Sequence, residues 1–494
     1  MKKIMLLTAL AATCLCLASC EDEKEKIEVT PASLLSFSFT QENNPDVLTK
    51  DVTISNPQSG ILKVEFPVGT SKDLMKALVP SFETSEEEAI VTIDGTEVIS
   101  GTSVCDFSYD VDLYVTYRGI TTNYVISVFA KEELSWRLIA ENTDSTYNNR
   151  PEMVVNPVDN KVYIITSMPN AGEQKQFPLG YVADNSGLRP VAGNSPILNN
   201  VPVTNFSIAV SDDGSVYASF QENATKMSVA SLSGGFSYVG EAAALPKSNS
   251  SAALIPVSSN DIWIAYPLNA ATNGLAKRTL ELAHYTAGWE TEIAITPERP
   301  SSAYAYICRT VYAGGQRYLF IFNQNQHDVS LYRLNGQSWE TVFESLKIKN
   351  AEGEDLGVLY ASIADFDIAS NGDVYMLLAS TFDDPSKYNA AIIRYRQSTG
   401  QQTIIGGTIS DAVPSTSSVW GMALDEFDTP YFIYPKDNTL YITHIDNKSK
   451  QWTEPAAVAP SIAKAGIAFG EDGTAYICGR NSTNGHVELY SSVN

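Results

Sequence analysis

At 494 residues the chain is too long for one ordinary core, so several domains or one large repeat architecture are expected. A hydrophobic share of 44%, with 10% aromatics, excludes a disordered chain. Tyrosine outnumbers phenylalanine and tryptophan, 25 against 18 and 6, which favours short β-strands joined by turns. A formal charge of −24 sets the chain against nucleic acid and against adsorption on anionic membrane surfaces.

In chain order, the first element is an export signal. Met1-Lys2-Lys3 is a short basic segment and IMLLTALAATCLCL an apolar one, too short and too abruptly ended to span a bilayer. LASC follows at residues 17–20 and resembles the bacterial lipobox. The resemblance implies cleavage after residue 19 and lipid on Cys20, whose acyl chains together anchor a protein in a membrane. The alternative is an ordinary signal with an incidental cysteine. The acidic tether 20–27, with EDEKEK directly after Cys20, resembles the surface-export signal of Bacteroides-type lipoproteins. That places the protein on the outer membrane, facing outside the cell; a solvated linker with no addressing role is the plainer reading. Of the remaining cysteines, Cys105, Cys308 and Cys478 have neither disulfide-framework nor zinc spacing, and Cys308 and Cys478 lie in apolar runs as buried thiols.

Residues 28–131 alternate with the strand period in SLLSFSFT, DVTISN, ILKVEFPV, AIVTIDGTEVI, DLYVTYRG and TNYVISVFA. Asn56-Pro57, Asp94-Gly95 and Arg118-Gly119 punctuate them, and KDLMKAL has room for one helical turn. This predicts an immunoglobulin-like β-sandwich. Pro67, Gly69, Thr70, Leu78, Pro80, Phe82, Gly101, Phe107 and Tyr124 give the segment a resemblance to a domain of unknown function in Bacteroides lipoproteins. The resemblance covers about a fifth of the chain, brings no chemistry, and implies a spacer or docking module.

Beyond residue 134 one pattern recurs: an apolar run, a Ser/Asp/Asn/Gly turn, and a second apolar run with an aromatic. MVVNPVDNKVYIIT, FSIAVSDDGSVYASF, ALIPVSSNDIWIAY, ICRTVYAGGQRYLFIF, FDIASNGDVYMLLA, MALDEFDTPYFIY and IAFGEDGTAYICG carry it. Their aromatics, Tyr163, Tyr217, Trp263, Tyr318, Tyr375, Tyr431 and Tyr476, recur roughly every 45–57 residues, the length of a propeller blade. A hairpin follows in most units, as in LELAHYTAGWETEIAI, but the last stops after HVELYSSVN. LSWRLIAE at 134–141 is the candidate for its missing strand. The expectation is an all-β chain: the sandwich, then a seven-bladed β-propeller over 134–494, closed by pairing of its first and last strands so that no β edge stays open.

The recurring Ser211-Asp212-Asp213-Gly214 is expected to be turn chemistry rather than a carboxylate site, because Asp bonds its own backbone and Gly takes positive φ freely. It bears a loose likeness to the structural turn of sialidase propellers, with Tyr in place of Trp and without a persuasive arginine triad. His284, His327, His444 and His486 lack metal spacing, and GxSxG, Walker, GxGxxG and EF-hand motifs are absent. No cofactor is implied; FDDPSKYN at 382–389 offers calcium an acidic loop without the ligand alternation calcium needs. If there is a ligand site, the mouth of the propeller is its place, in the loops that feed the inner strands. Those loops carry Tyr147, Arg150, Tyr304, Tyr306, Tyr360, Asp365 and Trp420. Planar aromatics beside hydrogen-bonding groups suit a sugar, and packing within and between blades is the competing use. The reading is a non-catalytic surface lipoprotein that binds a carbohydrate or a protein partner, with resemblance to Bacteroides glycan-uptake lipoproteins. Two alternatives stand beside it: a propeller glycoside hydrolase or polysaccharide lyase, for which Glu152 and Asp365 are candidate carboxylates, and a scaffold beside an outer-membrane transporter.

Overall fold

A computed structural model describes residues 30–143, 151–166, 180–184, 187–191, 203–222, 226–248, 252–295, 306–323, 326–350, 353–355, 365–380, 389–409 and 421–493. Among the described residues the chain is all-β apart from a one-turn helix, Lys72–Met75, that falls where KDLMKAL left room for it. Strands within Leu34–Ala130 make two sheets of three and five strands. Alternate residues of both sheets point inward, and Phe37, Phe39, Phe66 and Phe107 meet edge to face at their common core. One pair, Gly60–Phe66 with Ile120–Ala130, is parallel.

The remaining strands form seven sheets of four, here sheets 1 to 7 in chain order of their first strands: Glu152–Val155, Val203–Val210, Ala253–Ser258, Tyr306–Ala313, Asp365–Ile368, Gly421–Leu424 and Ile462–Phe469. Sheets 1 to 6 are antiparallel meanders of consecutive strands. In sheet 7 the fourth strand is Ser135–Asn142, paired antiparallel with Val487–Val493.

The expected closed propeller is corrected here. Among the described residues no sheet closes on itself into a barrel, and no backbone ladder passes from one sheet to the next. The pairing of Ser135–Asn142 with Val487–Val493 completes one open sheet, and each of the seven sheets retains two edge strands. The physical reason is that a meander joined by tight hairpins satisfies hydrogen bonds only between its own neighbours. What joins the sheets is packing. Each consecutive pair encloses an apolar cluster, such as Tyr318, Phe320, Phe366 and Met376 between sheets 4 and 5. Sheets 7 and 1 share Ile164, Tyr181, Cys478 and Leu489. The first strands of consecutive sheets also touch, that of sheet 7 meeting those of both sheet 6 and sheet 1. Apolar cover on both faces explains why YLFIF and VYMLLA are continuous runs instead of alternating ones.

The N-terminal unit is seated on sheets 6 and 7. Val68, nearly inaccessible, belongs to the apolar cluster between those sheets. Asn447 Nδ2 donates to Val47 O at 2.6 Å and to Thr70 Oγ1 at 3.0 Å. Thr49 Oγ1 donates to Phe427 O, and Lys450 Nζ to Asp46 O. Gly69 has φ +76°, and a Cβ there would stand 2.9 Å from Asp446 Oδ2, so backbone shape and close approach both require glycine. Pro67, Gly69 and Thr70, which carry part of the domain resemblance, therefore lie in the loop that docks the two units.

Candidate functional site

The residues expected at the mouth divide sharply. Tyr147, Arg150, Tyr304, Tyr360 and Trp420 lie outside the described residues, as do Cys20 and the acidic loop through residue 388. Tyr306 and Asp365 are described, and both are engaged in structure. Tyr306 opens the inner strand of sheet 4 and is buried with Trp263, Leu282 and Cys308 between sheets 3 and 4. Asp365 opens the inner strand of sheet 5. Its Oδ1 accepts from Phe366 N at 3.1 Å and its Oδ2 from Met422 N of sheet 6 at 3.3 Å. Two residues on, Asp367 accepts from Ile368 N at 2.8 Å and Leu424 N at 2.9 Å.

These two carboxylates solve an edge problem. The inner strand of sheet 6 pairs on one side only, leaving alternate amides without ladder partners. Asp365 and Asp367 accept from two of those amides in step, so the inner strands of sheets 5 and 6 run the same way. Burial pushes the Asp367 carboxyl up to about 7, against its amide bonds, and the Asp365 and Asp428 charges add to the rise.

At the other end of the inner strands lie the recurring turns. Asp213 Oδ1 accepts from Ser211 Oγ at 2.5 Å and Ser215 N at 2.9 Å, and these bonds hold its carboxyl below the usual range. Asp212 instead pairs with Arg317 of sheet 4 at 2.5 Å, and the same guanidinium donates to Val210 O at 3.0 Å. Neighbouring turns dock directly: Asn156 Nδ2 donates to Gly214 O at 2.9 Å, and Ser370 N and Oγ both donate to Asp428. The repeat's acidic residues thus hold turns and sheets together.

His284, His444 and His486 are also structural. His284 stacks on Trp263 at 3.8 Å and meets Asp261 at 2.9 Å. His486 meets Glu141 at 2.7 Å, and burial pushes the His444 imidazole down to about 4, partly offset by Asp446. Cys308 and Cys478 are buried, and burial pushes the Cys308 thiol up to about 12. Among the described residues no three His, Cys, Asp or Glu side chains gather as a metal site, and no helix is long and apolar enough to cross a membrane.

Two features escape linear reading. One is the charged seam between the units, centred on Lys131. Its Nζ donates to Glu426 Oε1 at 2.5 Å and to Gly473 O at 3.4 Å, and it lies 6.0 Å from the Phe427 and Phe469 rings. Burial raises Glu65 nearby, and raises the Asp425 carboxyl to about 7. The other is a polar groove where the N-terminal unit meets sheet 5, lined by Gln41, Asn371, Asp373, Arg394, Arg396 and Ser398. Its only sequence signal is Arg394-Tyr395-Arg396, which puts two guanidinium groups on one side of a strand.

No family model and no curated protein sequence matches the chain. Among solved structures it is similar to a putative 6-phosphogluconolactonase from Bacteroides uniformis, at 10% identity over 76% of this chain and 98% of that one, TM-score 0.38. It is also similar to the Dos1 propeller, at 11% over 72% and 95%, TM-score 0.42. The NanB sialidase from Streptococcus pneumoniae matches at 9% over 94% and 93%, TM-score 0.39. The chain is an all-β, multi-sheet protein loosely resembling propeller and sandwich folds. Likenesses this distant say nothing about what it binds.

Proposed function

We propose that the chain is a surface lipoprotein, anchored through lipid on Cys20 to the outer membrane and facing outward, that binds a carbohydrate or protein partner without transforming it. One observation carries the non-catalytic part: Asp365, the described member of the expected mouth set that has a carboxylate, places both oxygens on main-chain amides. A carboxylate so engaged is poorly placed to shuttle protons. The seam between the units supports the presenting role, since it seats the N-terminal unit, which follows the tether in the chain, on sheets 6 and 7.

The test has two arms. Cys20→Ser should release the protein from the membrane fraction, and retention there would remove the anchor. The purified chain should bind members of a glycan or membrane-protein panel without releasing products. Turnover of a polysaccharide, lost in Asp365→Asn, would replace this reading with the hydrolase or lyase.

A further inference from the structure

From the groove at the junction of the N-terminal unit and sheet 5, we infer a binding site for the anionic group of an acidic saccharide, a uronate carboxylate or a sulfate ester, with Arg396 as its receptor. The saccharide part rests on the carbohydrate reading above; the anion part does not.

The groove encloses about 360 Å³, and every lining side chain is polar. Its charges can be counted. Arg394 donates through Nε to Asp373 Oδ2 at 2.7 Å, and its Nη2 stands 2.5 Å from the same oxygen. Asp373 is almost completely buried, so that pair is fixed and neutral. Asn371 is held in the same turn, its Oδ1 accepting from Asp373 N at 2.9 Å. Arg396 remains. It is exposed, two residues along the same strand, and adds one positive charge to a groove on a protein of charge −24.

A guanidinium matches a carboxylate or sulfate with two parallel N–H donors, and does so best beside further donors. Asn371, Ser398 and Gln41 supply amide and hydroxyl groups on the same rim, as a hydroxylated ring carrying an anion requires. Gln41 comes from the N-terminal unit, in a turn held by Asp51 Oδ1, which accepts from Gln41 N at 2.7 Å. The groove is therefore complete only when the units are docked. A second groove of about 190 Å³, lined by Arg333, Glu340, Thr341, Val342, Tyr395 and Gln397, provides the contrast. There Arg333 donates to Glu340 at 2.6 Å, leaving no net charge.

The experiment is calorimetry on the full mature chain with oligogalacturonate, a sulfated oligosaccharide, a neutral oligosaccharide of equal length, and inorganic sulfate. At least one acidic oligosaccharide should bind. Arg396→Ala should weaken it about tenfold or more, Arg396→Lys less, and Gln41→Ala a few-fold, with neutral-saccharide binding unmoved. Arg396 is exposed, so its loss leaves folding intact. No binding of either acidic probe, or binding unchanged in Arg396→Ala, would overturn the inference. Arg396-dependent binding of inorganic sulfate alone would keep an anion site and remove the saccharide.

Discussion

Lys131→Met tests whether the seam between the two units is held by one buried cation. The lysine side chain is 5% exposed and pairs with Glu426, itself 32% exposed. Glu65 and Asp425 feel its charge as well. Methionine keeps much of the volume and removes the charge, leaving Glu426, Glu65 and Asp425 without the cation that offsets them. Breaking a buried pair from one side costs about 3–5 kcal/mol, and the partial exposure of Glu426 brings the expected loss down to about 2–3 kcal/mol. That is roughly a 30- to 160-fold shift in the docking equilibrium. A chain of several units does not unfold in two states, so a single melting temperature is the wrong readout. Native-state hydrogen exchange at Thr70 and Thr429, main-chain amides beside the seam, reports the opening directly. Glu426→Gln in the same chain should recover more than half the loss, because the uncompensated charge goes with it. Acidification to about pH 5 should shrink the loss too, as Asp425, raised to about 7, takes up its proton. Protection within about 0.5 kcal/mol of wild type, or a double variant no better than the single, would refute the reasoning.

Asp367, raised to about 7 by burial, is protonated in the folded chain at acidities where an unfolded aspartate is ionised. The folded state then holds the extra proton, so this group's contribution is full below about pH 4 and is lost as pH rises through about 7. Asp367→Asn keeps an acceptor for Leu424 N and should flatten the stability slope between those values, measured by denaturant titration across pH; an unchanged slope would count against it. Gly214→Ala meets φ +80° and a Cβ only 2.8 Å from Val158 Cγ2, so a loss of more than about 1 kcal/mol is expected. Gly234→Ala, at φ +69° with open space around it, should cost less, and Val158→Ala should partly rescue the Gly214 variant. Equal losses at the two glycines would show that the contact between turns contributes nothing.

The sequence by itself determined the strands and their turns. Seven repeats of apolar run, Ser/Asp/Asn/Gly turn and apolar run are local events, set by side-chain period and by which residues tolerate positive φ, and they persist in sheets 1 to 7. The pairing of residues near 135 with those near 490 was also legible, because an incomplete last unit and a matching early strand are both visible in the chain. What that pairing accomplishes was not. It fills one open sheet and abolishes no edge, since edges are properties of sheets in space. Asp365 shows the same divide. Its position beside the mouth followed from counting along the repeat, but its use followed from where Met422 N lies in the next sheet. Lys131 and Gln41 carried no signal of their own, and Arg396 only its spacing from Arg394. Each acquires its role by meeting residues some 300 or more positions away, for the first two, or a groove wall from the other unit, for the third. Charge and hydrogen-bonding capacity are written residue by residue, whereas burial and partnership arise only when distant segments pack, and those decide whether an acid is a catalyst, a staple or part of a receptor.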